Sequence, residues 1–246
     1  VNAGFEPSAS VFNAMPVVFV LLLVGVIAFM IVSVVFAVRS SRRRHESIAT
    51  VVMAHGLSYV AKDSSLVNEF VGDPFGKGSA RRAADVVAGD LAGGWLQTFA
   101  YSYETESTDA NGNSAKTTHR FQVTWIPLPA PFPHVRITPD TGWLRALGAL
   151  GGHDLNTESS AFNARWRVRA NDERIAHAIL TGPMIERLLR VDVRDRAVVF
   201  QGNRLITFAP GVSDLADLTT VVGMLHDVAA LVPPFLVNDL GDPETR

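Results

Sequence analysis

An α+β fold is what this sequence predicts: one N-terminal transmembrane helix, then a cytoplasmic domain with a mainly antiparallel sheet and several helices. Three observations point to it. A long uncharged apolar run ends in a burst of arginines, and the middle of the chain alternates with period two. Helical patterning then returns late, without regular βαβ alternation. Length and composition bound the rest. The 246 residues suffice for one or two domains. Charged residues make up 19% and apolar ones 48%, against the ~25% charged that is usual in soluble domains, which excludes a disordered chain. A net charge of −2 gives no basic balance for nucleic acid. The absence of cysteine excludes disulfide scaffolds, zinc ribbons and thiol catalysis.

Between Pro16 and Val38 no residue is charged, and 17 of these 23 residues are Val, Leu, Ile or Phe. As a helix the run measures roughly 34 Å, enough for a hydrocarbon core of ~30 Å. A cleaved signal peptide does not fit, because residues 1–15 carry no Lys or Arg and arginines follow the run. Arg39, Arg42, Arg43 and Arg44 form a basic collar, with no basic residue before the span. The positive-inside rule therefore places residues 1–15 outside and the rest in the cytoplasm, as a single-pass protein of the plasma (inner) membrane. The same arginines can hold anionic lipid headgroups. No ionisable residue lies inside the span, so no ion path runs through this helix alone.

The expected organisation is a tail over 1–15, the span over 16–38, a collar and juxtamembrane helix over 39–55, an α+β domain over 56–240 and an acidic tail over 241–246. Residues 45–246 hold 18 Lys/Arg and 23 Asp/Glu, so an acidic domain follows a basic collar. Ile48, Val51, Val52 and His55 continue the helix, which stops at Gly56. Ala83, Val86 and Val87 would suit a helix over Arg81–Gly89, but its two glycine-rich neighbours favour a short strand turning at Asp90–Gly94. Phe99–Tyr103 and His119–Trp125 alternate and form a hairpin, with a long polar loop over Glu106–Lys116 around Asn111-Gly112. A Pro-rich connection over Pro127–Pro133 leads to a short strand at Val135 and Ile137. Phe162, Ala164, Trp166 and Val168 alternate with Asn163, Arg165, Arg167 and Arg169, giving a further strand. Asn171 is the expected cap of a helix to about Leu180, and Thr181-Gly182-Pro183 starts the next one. Val191–Phe200 and Arg204–Phe208 read as a hairpin across Gly202-Asn203. Ser213 is the expected cap of the last long helix, ended by Pro233 and Pro234.

Chemistry is sparse. Val71–Ser79 is rich in glycine, yet the phosphate-loop spacing fails: three residues separate Gly72 from Gly76, and Gly78 follows Lys77. It reads as a surface turn. Asp154, Asn156 and Glu158 alternate like a calcium loop, but Ser159 and Arg165 stand where glycine and glutamate are required. The histidines show no metal-ligand spacing, and no Gly-x-Ser-x-Gly elbow occurs. No catalytic residue, cofactor or metal site is therefore expected. The one candidate face is Arg165, Arg167 and Arg169, three guanidinium groups on one side of a strand. They could bind an anion or an acidic partner, or simply pair with acids such as Asp192 and Asp195, which is the commoner outcome on a sheet.

The collar, His55–Tyr59, Phe70–Gly78, Phe99–Tyr103, Asp154 with Glu158-Ser159 before Phe162-Asn163, and Pro183–Leu189 together resemble uncharacterised single-pass membrane proteins of actinobacteria. These are related to a bacterial domain family called DUF3137. The resemblance implies an α+β cytoplasmic domain and brings no catalytic residue. The functional expectation is a membrane-anchored, non-catalytic interaction protein. It would be a scaffold or accessory subunit of a respiratory or transport assembly, with lipids and an integral membrane protein as partners. The alternative is a tethered enzyme or small-ligand sensor.

Overall fold

The computed structural model describes residues 9–109, 112–141, 155–193 and 195–242. Most of the expected N-terminal tail, Asn111, Asp154 and the chain end over 243–246 lie outside these. The chain divides into two units, Val1–Ser47 and Ile48–Arg246.

Helix α1 runs over Ala9–His55 and ends where Gly56 takes φ +64°, as expected. Among the described residues no single helix is long and apolar enough to cross a membrane, and the apolar helical stretch is Leu22–Ser33. The expected span over 16–38 lies within α1, but several of its side chains are outside the described set.

The second unit is a six-stranded antiparallel sheet with helices, in line with the α+β expectation. Its strands are β1 (Ser58–Lys62), β2 (Ser79–Leu91), β3 (Gly94–Thr108), β4 (Ser114–Pro139), β5 (Trp166–Ala170) and β6 (Ala197–Pro210). They pair in the order β1-β2-β3-β4-β5, and β6 also pairs with β4. A two-residue turn joins β2 to β3, with Ala92 and Gly93 both at positive φ, the geometry that matches the twist of the strands. The hairpin loop expected over 106–116 is shorter: pairing continues to Thr108↔Ser114. Asp109 closes the tip by accepting from the Asn113 amide at 2.8 Å.

Strand β4 absorbs both the expected hairpin strand and the short strand at Val135. The intervening prolines are tolerated because the β4–β6 register is interrupted between Pro127 and Phe132, so few ladder bonds are lost. Leu128, Ala130 and Phe132 point inward between them. Strand β6 begins at Ala197, and Val191–Val193 forms a 3-10 turn instead of strand. Within β6 the Thr207 hydroxyl donates to the Ala197 carbonyl at 2.8 Å. Ten extended residues would span roughly 33 Å, so the strand folds back on itself. The bend falls near Gly202 (φ +54°), but in place of the hairpin expected across Gly202-Asn203 the strand runs on unbroken and pairs with β4 on both sides of it.

Helices follow: α2 (Ser160–Asn163), α3 (Glu173–Ile179), α4 (Gly182–Leu188), α5 (Leu218–Ala230) and α6 (Pro234–Gly241). Four expectations are corrected here. Phe162 to Arg165 are helix and turn, not strand, because Ser159 Oγ caps the Phe162 amide. Asp172 caps α3 in place of Asn171, whose amide donates to the His134 carbonyl. Ser213 caps the Leu215 amide, while α5 starts only at Leu218. Pro233 and Pro234 end α5 but also begin α6, since proline suits a first helical turn.

Period-two alternation buries both faces of the sheet. One face, with Leu96, Ile126, Val135, Ile137, Val198 and Phe200, packs under the helices together with Ile48 and Leu57. The other carries Phe99, Tyr101, Tyr103, Phe121, Val123, Val199 and Phe208, and the segment with Leu66, Phe70 and Phe75 covers it.

Candidate functional site

Arg39, Arg42 and Arg43 are exposed on α1. Their i, i+3, i+4 spacing puts them on one face, with half-buried Arg44 about 100° further round from Arg43. The second expected cluster is rearranged. Arg165 precedes β5 in a turn and leaves the stripe. Arg167 donates to Asp140 Oδ2 and to the Asn163 carbonyl, both at 2.8 Å. Asp192 is taken by Arg187 of α4, which is only 5% exposed and also donates to Asp227 at 3.0 Å. That pairing holds the Asp192 carboxyl below the ordinary range, through the hydrogen bond from Arg187 first.

Strand pairing supplies two groups that sequence spacing did not single out. Arg169 lies opposite Arg136 of β4, and His134 stands two residues before Arg136 on the same face. The signal was present as polar His134 and Arg136 alternating with buried Val135 and Ile137. What hid it is that β4 and β5 are joined only by long-range pairing. Arg136 is 7% exposed, and its guanidinium carbon stands 5.7 Å from the Phe208 ring centroid. Burial pulls its pKa down to about 10, with the Asp73 carboxylate acting against this and Arg169 adding to it. Burial likewise lowers His134, helped by the Arg136 charge and opposed by the nearby Val71 backbone. Burial raises Tyr101 against the opposing effect of the Gly76 backbone, and it pushes Tyr103 up to about 12 together with Asp73 and Tyr101.

The glycine-rich segment expected to be a plain surface turn lies over these groups. Phe75 inserts from it, 5.1 Å from the Tyr101 ring and 5.7 Å from Phe208. A Cβ on Gly72 would stand 3.2 Å from His134 Nε2, and one on Gly78 would lie 2.3 Å from the Glu104 carbonyl oxygen. Only glycine therefore lets the backbone approach at Gly78. Asp73 and Lys77 form an ion pair at 3.0 Å on this loop. Beneath it, Arg136 Nη2 is buried without a hydrogen-bond partner among the described residues, and His134 Nε2 and Tyr101 Oη have only imperfect contacts to the Val71 and Gly76 backbone. Each such group costs about 1–3 kcal/mol.

Beyond the loop the aromatic face is half open. Trp95 and Trp125 stand 4.8 Å apart, and Arg204 lies 4.9 Å above the Trp125 ring while pairing with Glu69. Near the helices, one hollow of about 430 Å³ is lined by Asp140, Arg165, Trp166, Arg190 and Asp195. Another of about 660 Å³ contains Glu158, His177 and Glu186. Among the described residues no group of three His, Cys, Asp or Glu side chains could hold a metal ion.

No family model matches the chain, and no curated protein matches it. Among solved structures it is similar to the crystal structure of the mycobacterial trehalose monomycolate transport factor A, TtfA. The TM-score is 0.54 and the identity 14%, over 78% of this chain and 96% of that one. At that identity the likeness is one of fold.

Proposed function

We propose that this chain is a membrane-tethered, non-catalytic interaction protein, an accessory factor of a membrane transport assembly. The observation that carries the reading is the fold shared with a transport factor over nearly all of that protein's chain. Two features support it. The run over 16–38 with the collar Arg39, Arg42, Arg43 and Arg44 suits a single-pass anchor in the plasma membrane, N-terminus outside, with lipid around it. The half-exposed Trp95, Trp125 and Arg204 are residue types that dominate contact energies in protein interfaces. Confinement to one membrane raises the effective concentration of an integral membrane partner, so a modest interface suffices.

The chain has no cysteine, which makes labelling clean. Cysteine at Ser8 should react with a membrane-impermeant thiol reagent in intact cells, and cysteine at exposed Lys116 should react only after lysis. The opposite pattern contradicts the orientation. Steady turnover of a metabolite by the purified chain contradicts the non-catalytic reading and favours the tethered enzyme.

A further inference from the structure

We propose that the ground beneath the Gly72–Gly78 loop is a binding site for a small oxyanion of the phosphate type, with Arg136 as its charged anchor. This stands independently of the transport reading. Arg136 is 7% exposed, and its Nη2 has no hydrogen-bond partner among the described residues. Tyr101 Oη and His134 Nε2 lack a well-formed hydrogen bond, the groups facing them being the Gly76 and Val71 backbone of the covering segment, so lifting that segment would free both. Its Phe75 touches Tyr101 and the same Phe208 ring that Arg136 overlies, while Gly72 lies against His134.

The chemistry selects an anion. A guanidinium, a phenol and an imidazole offer N–H and O–H groups, and guanidinium matches phosphate geometry. Asp73 is the carboxylate that acts on Arg136, and it is shared with Lys77 at 3.0 Å, whereas Arg169 adds positive charge from the neighbouring strand. Entry requires the loop to lift. Gly72, Gly76 and Gly78, at φ +82°, +77° and +61°, are the points about which such a segment turns without side-chain hindrance.

The test uses the full-length chain in lipid nanodiscs, titrated with inorganic phosphate at constant ionic strength by calorimetry. A parallel titration uses dihexanoyl phosphatidate, a water-soluble lipid with the same phosphate chemistry. Saturable binding of phosphate points to a free anion, and saturation by the phosphatidate alone points to a headgroup. Either supports the site if Arg136→Met weakens it at least tenfold, Arg136→Lys weakens it less, and Arg167→Gln leaves it unchanged. Should Arg136→Met not fold, Tyr101→Phe combined with His134→Gln replaces it, with a several-fold weakening expected. Failure of both ligands to saturate, or unchanged binding in the variants, overturns the proposal and leaves ordered water as the partner of these groups.

Discussion

In α1, Phe19, Phe29 and Phe36 are 69%, 74% and 74% exposed, whereas Phe99, Phe162, Phe200 and Phe208 of the domain have no exposed surface. The same residue type meets two different solutions to one problem. Leaving such a side chain in water forfeits roughly 1.5–3 kcal/mol. In the domain a sheet buried on both faces removes that cost. In α1 these side chains stay exposed among the described residues, and on the proposed reading lipid covers them. Apolar character is therefore shared, and alternation with polar residues is what separates the self-covered sheet from the uniformly apolar run of α1.

That contrast can be broken from the domain side. Phe200→Ala vacates a position packed 5.6 Å from the Phe132 ring and should cost about 3–5 kcal/mol. A urea melt reads the loss, and membrane association of the folded fraction should not change. A stability loss below ~1 kcal/mol would show that the helix-covered face is not the core described. A smaller effect is expected at Gly78→Ala, which combines a positive φ with the close approach to Glu104 and should cost roughly 1–3 kcal/mol. Full stability in that variant would mean that the loop does not sit against β3.

The next effect is one of pH. His134 has a lowered pKa in the fold, so the unfolded chain takes up a proton first as pH falls through about 6.5. Its contribution is present above that value and is lost between it and the lowered folded pKa. Urea melts at pH 7.5 and 5.5 should show a drop in stability that His134→Gln reduces. An identical drop in both proteins would place the titration elsewhere.

Much of this contrast is legible in the amino-acid sequence alone. Period-two runs around Phe99–Tyr103 and His119–Trp125 locate the central hairpin, and Gly202-Asn203 marks a bend in β6 but not the hairpin it suggests, because both halves pair with β4. The same alternation misleads at Phe162–Arg165, where a Ser159 cap outweighs a pattern that helix and strand share. Pro233-Pro234 reads as a stop, although proline also opens α6. The site under the loop is the least legible part. His134 and Arg136 gain meaning only when β4 folds against β5 and β6, and when a loop some sixty residues upstream covers them.

If the domain acts by contact, the tether supplies most of its effective affinity, and removing the tether should abolish capture without unfolding the domain. The measurement compares the full chain with a version beginning at His45, which keeps the core residue Ile48. Both are expressed in the native host, and co-purifying membrane proteins are quantified by mass spectrometry. The shortened chain should melt as the full-length domain does, and should lose at least nine-tenths of an integral membrane partner that the full chain retains. Equal recovery of that partner by both chains, or no specific membrane partner with the full chain, would contradict the proposed role.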